Sequence, residues 1–163
     1  MVESVLGGRV DELAQEIAEL AARTGRSVAV AESLTGGQLG AALAAAPDSS
    51  SWFRGGIIAY HPEVKYTLLG APRGAVVTEE TAVAMAESSQ RHLLADITVA
   101  VTGVGGPDPD EGKPAGTVVL AIVSTDAASH VTNFTFAGSP IDVMRQTVEA
   151  ALEAVLARLH AIG

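Results

Sequence analysis

The chain has 163 residues, no cysteine and a formal net charge of −9; 48% of its residues are hydrophobic, 18% charged and 4% aromatic. The missing cysteines exclude a disulfide framework, a thiol nucleophile and a thiolate metal site, and the apolar content excludes disorder. The negative charge leaves no basic stripe to displace counterions from a nucleic acid, whereas a small anionic substrate needs only a local positive site.

A single domain over residues 1–163, with a core of Ala, Val, Leu and Ile, is the expectation at this length. No apolar run reaches the ~18–20 residues that span a bilayer. Residues 1–12 carry charges and lack the apolar segment of a secretion signal. A cytoplasmic protein away from membranes is therefore expected.

In chain order, Val10, Leu13, Ala14, Ile17, Leu20 and Ala21 recur at helical spacing over residues 9–24, and Gly25 closes that helix. Residues 27–31 are β-prone and mostly apolar, a buried strand. The polar turn Glu32, Ser33, Leu34, Thr35, Gly36, Gly37 follows, then a helix over 38–46. Residues 47–51 are a loop. Ile57, Ile58, Ala59 and Tyr60 read as a second short buried strand, ended by His61 and Pro62, and 63–69 as a short helix. Thr78 caps a helix over 79–94 with Glu79 and Glu80 in its first turn.

Residues 97–101 are the clearest buried strand and run into Thr102, Gly103, Val104, Gly105, Gly106, Pro107 and an acidic tail. Residues 116–124 form another strand, 130–136 an alternating edge strand, and Ser139 and Pro140 open the last helix. Helices interleaved with strands predict an α/β fold, a three-layer α/β/α domain with a mixed sheet.

Four polar places stand out. Ser33, between a strand and a helix, fits a nucleophile, a phosphate ligand or a plain helix cap. No histidine is placed to act as its base, and the scattered histidines make no metal site. Lys65, five residues after Tyr60 and one of two lysines in the chain, fits either a solvated helix lysine or a base. As a base near pH 7 its pKa must fall by roughly 3 units from ~10.4, and a nearby cation such as Arg145 or burial can supply that. The 102–107 loop fits close backbone approach to a ligand or a surface connection. Arg145, early in the last helix, opposes the helix dipole and fits an anion holder or a surface residue.

Taken together the motifs resemble the CinA C-terminal domain family, whose members include stand-alone nicotinamide-nucleotide amidohydrolases. The resemblance is carried by residues 31–37, 52–60 through Lys65 to Gly70, Val77 to Ala82, Met85 and Ala86, 101–107 and 113–118. It implies hydrolysis of the carboxamide of nicotinamide mononucleotide to nicotinate mononucleotide and ammonia, with no cofactor and no metal. The family's nucleophilic serine falls on Ser33, its lysine on Lys65 and its tyrosine on Tyr60.

The implied substrate-binding set is Glu32, Thr35, Gly36, Gly37, Thr102, Gly103, Gly105, Gly106 and Arg145. In the expected reaction Lys65, with Tyr60, moves the proton from Ser33 to the leaving ammonia. Amides around 35–37 hold the oxyanion, and Arg145 with the 102–106 backbone holds the phosphate. The partner implied is that small molecule, without nucleic acid or membrane, in a homo-oligomer with a dimer favoured. A non-catalytic pyridine-nucleotide-binding module, or a partner domain for a separate CinA-type chain, is the alternative. Three departures are visible: Leu34 where the family has cysteine, His61-Pro62 where it has Ser-Asn, and Asp108 to Glu111 where glycine is common.

Overall fold

The apolar runs pair into one five-stranded sheet of order β2-β1-β3-β4-β5 in the computed structural model, which describes residues 5–162. The first four residues of the 1–12 stretch, and Gly163, lie outside the described residues. The strands are β1 (Val28–Glu32), β2 (Phe53–Ile58), β3 (Ile97–Gly103), β4 (Thr117–Ser124) and β5 (Ala127–Thr135). β1 runs parallel to β2 and β3, and β3, β4 and β5 are joined antiparallel, so the sheet is mixed as expected.

The helices are α1 (Gly8–Thr24), α2 (Gln38–Ala44), α3 (Pro62–Thr67), α4 (Glu79–Leu93) and α5 (Pro140–Ile162). Gly25 ends α1 in the left-handed region at φ 69°, and the Thr78 hydroxyl accepts from the Thr81 amide at 3.1 Å to cap α4.

Alternation along the strands gives the sheet two unlike faces. Toward α1, α2 and α5 it presents Val28, Val30, Ile97, Val99, Val101, Val118, Leu120 and Ile122. Toward α4 it presents Ala31, Ala100 and Ala121 with Val119 and Val123, packed against Ala82, Met85 and Ala86. The second layer is thin because its residues are small. It also buries the hydroxyls of Thr81, Ser89 and Thr98 without a partner among the described residues.

The second strand differs from expectation. It covers 53–58 rather than 57–60 and is an edge strand, in which Arg54, Gly56 and Ile58 are exposed while Phe53, Gly55 and Ile57 are half-buried. An apolar run at an edge has one covered face only, and apolarity alone does not reveal that. Gly56 is needed there: a Cβ would meet Val30 Cγ2 at 2.6 Å and push β2 off β1.

Candidate active site

β1 delivers Glu32 and Ser33 to the carboxyl end of the sheet. The Glu32 carboxylate is fully buried and turned into the start of α2. It accepts from the Thr35 hydroxyl at 2.7 Å and from the amides of Gly37 at 3.1 Å, Leu39 at 2.9 Å and Gly40 at 2.8 Å. A carboxylate on free helix amides is the charge the N-terminal dipole favours. Gly36 N–H donates to Ser33 O at 3.1 Å and Gln38 N–H to Thr35 O at 3.0 Å. Of the expected oxyanion donors at 35–37, the amides of Gly36 and Gly37 are thus engaged inside the protein. Ser33 is left with a hydroxyl that has no hydrogen bond among the described residues.

A cavity of about 330 Å³ opens beside it. Ser33 and Leu34 form one side, and Thr102, Gly103, Val104, Gly105 and Gly106 another; Tyr60, Pro62 and Lys65 come from the β2–α3 connection and α3. Val76, Val77, Asp108, Asp110, Pro140 and Met144 complete it. The backbone comes close because the side chains are missing: a Cβ on Gly103 would meet Thr117 O at 2.7 Å, and Gly106 sits at φ +85°. The amides of Leu34, Gly105 and Gly106, all from residues of the lining, have no acceptor among the described residues.

Lys65 is 2% exposed, one of the largest fully buried side chains. Burial pushes its pKa below the ordinary lysine value, and the Glu111 carboxylate opposes that shift. Arg145 plays no part in it. The Nζ of Lys65 donates to the backbone carbonyl of Tyr60 at 3.2 Å. Tyr60 therefore meets Lys65 through its carbonyl, not its phenol, and its side chain stands on the rim at 68% exposed. His61 caps α3, its Nδ1 accepting from the Glu63 amide at 3.1 Å.

The wall at Val76 and Val77 is held from three sides. Thr102 Oγ1 donates to Val76 O at 2.9 Å. The Glu111 carboxylate accepts from Val76 N–H at 2.8 Å and Val77 N–H at 3.0 Å, and Lys113 Nζ donates to Val77 O.

A model of the CinA C-terminal domain matches residues 10–159. The chain belongs to the CinA C-terminal domain family. A CinA-like protein of Parasynechococcus marenigrum is 45% identical over 123 residues, which is 71% of this chain and 29% of that protein. The chain spans about a third of the length of the curated relatives it matches. Among solved structures, the competence/damage inducible protein CihA from Agrobacterium tumefaciens aligns with TM-score 0.88 at 30% identity, covering 94% of this chain and 96% of that one. The competence damage-inducible protein A (ComA) from Klebsiella pneumoniae aligns with TM-score 0.88 at 31% identity, covering 93% and 97%.

Within this CinA domain the expected residues divide. Ser33, Tyr60, Lys65, Thr102, Gly103, Gly105 and Gly106 come together at the cavity. Glu32, Thr35, Gly36 and Gly37 lie outside its lining and build the α2 cap. Arg145 also lies outside: its guanidinium pairs with Asp142 at 3.6 Å and Glu149 at 3.4 Å on its own helix, although Pro140 and Met144 beside it reach the cavity. Sequence reasoning assigns no site role to Val76 or Val77, although Val77 opens the matching stretch to Ala82; their local signal is their position just before the Thr78 cap. Among the described residues there is no group of three or more acidic or histidine side chains able to hold a metal, and no helix is long and apolar enough to cross a membrane.

Proposed function

We propose that this CinA domain hydrolyses the carboxamide of nicotinamide mononucleotide, releasing nicotinate mononucleotide and ammonia. The observation that carries the reading is the pairing, on one cavity, of an unengaged serine hydroxyl with a buried lysine of lowered pKa. A lysine that is neutral part of the time can accept the serine proton, and a serine relieved of it is a nucleophile.

In this reading Ser33 Oγ bonds to the carboxamide carbon while its proton passes to Lys65 Nζ. The tetrahedral oxyanion faces the free amides of Leu34, Gly105 and Gly106. Collapse breaks the C–N bond, and Lys65 returns the proton to the departing ammonia. Water then attacks the ester on Ser33, giving a proton to Lys65; the ester C–O bond breaks, Lys65 passes that proton to the departing Ser33 Oγ, and the product leaves as the carboxylate. The Tyr60 carbonyl aims the amine, and the Tyr60 side chain offers the ring an apolar edge at the rim. No step calls on a metal or an organic cofactor.

The test is ammonia release from nicotinamide mononucleotide by the wild type, Ser33→Ala and Lys65→Ala. Release by the wild type and loss of at least ~10³-fold in both variants is expected. Unchanged turnover in both would end the reading. A second reading, a binding module that holds a pyridine nucleotide unhydrolysed, draws on Asp108 and Asp110 in the lining and on Arg145 being engaged elsewhere. Saturable binding with no ammonia from the wild type would favour it.

A further inference from the structure

We propose that Glu111 is a positioning residue for this site: from a tight turn it clasps the Val76 and Val77 wall and places its carboxylate as the counter-charge to the buried Lys65. The inference rests on the cavity assignment above but not on the reaction.

The acidic stretch after the glycine loop is not one uniform patch. Asp108 and Asp110 line the cavity; Glu111 does not. Residues 110–113 close a two-residue hairpin turn, with Asp110 N–H donating to Lys113 O at 3.0 Å and Lys113 N–H to Asp110 O at 2.8 Å. Glu111 has φ 52° and Gly112 φ 72°. Both central residues are left-handed, the arrangement for which Asn-Gly is the low-strain pair. A glutamate there is conformationally disfavoured, yet its side chain is fully used: both oxygens accept backbone amides 34 and 35 residues away. Lys113, on the far side of the same turn, holds the Val77 carbonyl. The turn thus grips both edges of one peptide segment.

The charged and titratable groups around Lys65 sort cleanly. On α3, Glu63 is paired with Arg73 at 2.8 Å, and the Tyr66 hydroxyl is bonded to Gly74 O. Asp108 and Asp110 share the cavity, Tyr60 contributes its carbonyl, and Lys113 is committed to Val77 O. The Glu111 charge acts on Lys65 and favours the ammonium. Burial favours the neutral amine. The two effects oppose, so Glu111 sets where between them the lysine rests.

With only two lysines, protein labelled with [13Cε]lysine gives two lysine signals, assigned with Lys113→Arg, and each can be titrated against pH. In Glu111→Gln the Lys65 midpoint should fall, because an opposite charge that favours the ammonium is lost. Glu111→Asn serves as the second variant, because it removes charge and clasp while supplying the residue the turn favours, and the same fall is expected. The Val76 and Val77 amides should exchange faster in both. A Lys65 midpoint unmoved in a folded variant of either kind overturns the proposal. If the wild type releases no ammonia, the reaction falls but this titration still decides the role of Glu111. If it does, the acid limb of the pH–rate profile should move down with the midpoint.

Discussion

The turn after β1 and the loop after β3 leave neighbouring parallel strands at the same end of the sheet, and both carry paired glycines. They use their backbones differently. After β1, Glu32 draws in three amides and a hydroxyl, and the glycines let the chain fold tightly around that carboxylate. After β3, the amides of Gly105 and Gly106 keep no internal acceptor, and Gly103 is bare because the β4 backbone presses on it. Similar glycine content therefore serves a closed anchor on one side of the cavity and an open surface on the other. A polar residue next to a nucleophile is not thereby a ligand residue; the direction of its hydrogen bonds decides.

The contrast is sharpest at Glu32. Glu32→Ala leaves four donors without their acceptor in a site closed to water, and a loss of about 3 kcal/mol or more in urea unfolding is expected. A loss no larger than that of an exposed acid would erase the distinction between the two turns.

Gly103→Ala comes next. Its Cβ would meet Thr117 O at 2.7 Å, and backbone cannot step aside as a side chain can, so a cost of about 1–3 kcal/mol is expected. Gly36→Ala, with open space but φ +56°, should cost about 1 kcal/mol, and thermal unfolding of the two side by side tests steric against conformational need.

Lys65→Met probes the group between the turns. Burial lowers the folded-state pKa, so between that value and the unfolded value near ~10.4 the unfolded chain binds the extra proton. Stability of the wild type rises with pH through that window and carries the full penalty below it. Lys65→Met should therefore be the more stable protein at pH 7, with a gap that narrows toward pH 10. A gap that widens as pH rises would contradict the assignment.

The smallest effect belongs to the open side. Asp110→Asn should leave stability within about 0.5 kcal/mol. It should lower KM for nicotinamide mononucleotide by at most about fivefold, the equivalent of the ~1 kcal/mol ceiling for an exposed charge contact. A rise in KM would mean that the acid engages the substrate.

How far these differences are legible in the chain depends on their range. The strands read at 27–31 and 97–101, the latter extended through Thr102 and Gly103 in the structure, and the α4 cap and glycine loop follow from local pattern, while Ser33 and Lys65 are singled out by the family resemblance. The work of Glu32 is local in sequence but turns on side-chain direction, which adjacency does not encode. The Val76 and Val77 wall is fixed by Thr102, Glu111 and Lys113, between 26 and 36 residues away, and no periodicity carries that information. Arg145 is ambiguous for the opposite reason: acids at i−3 and i+4 already satisfy it on its own helix.

The thin layer of Ala31, Ala100 and Ala121 beneath α4 acts as a gauge for the cleft. The wall residues lie directly before α4, so the height at which that helix rides on the sheet fixes how far the wall stands from the loops opposite. A methyl is the smallest shim an L-residue can provide, and the helix already rests on it. Enlarging any of the three would lift the helix and carry the wall with it, changing the width of a site that none of these alanines lines.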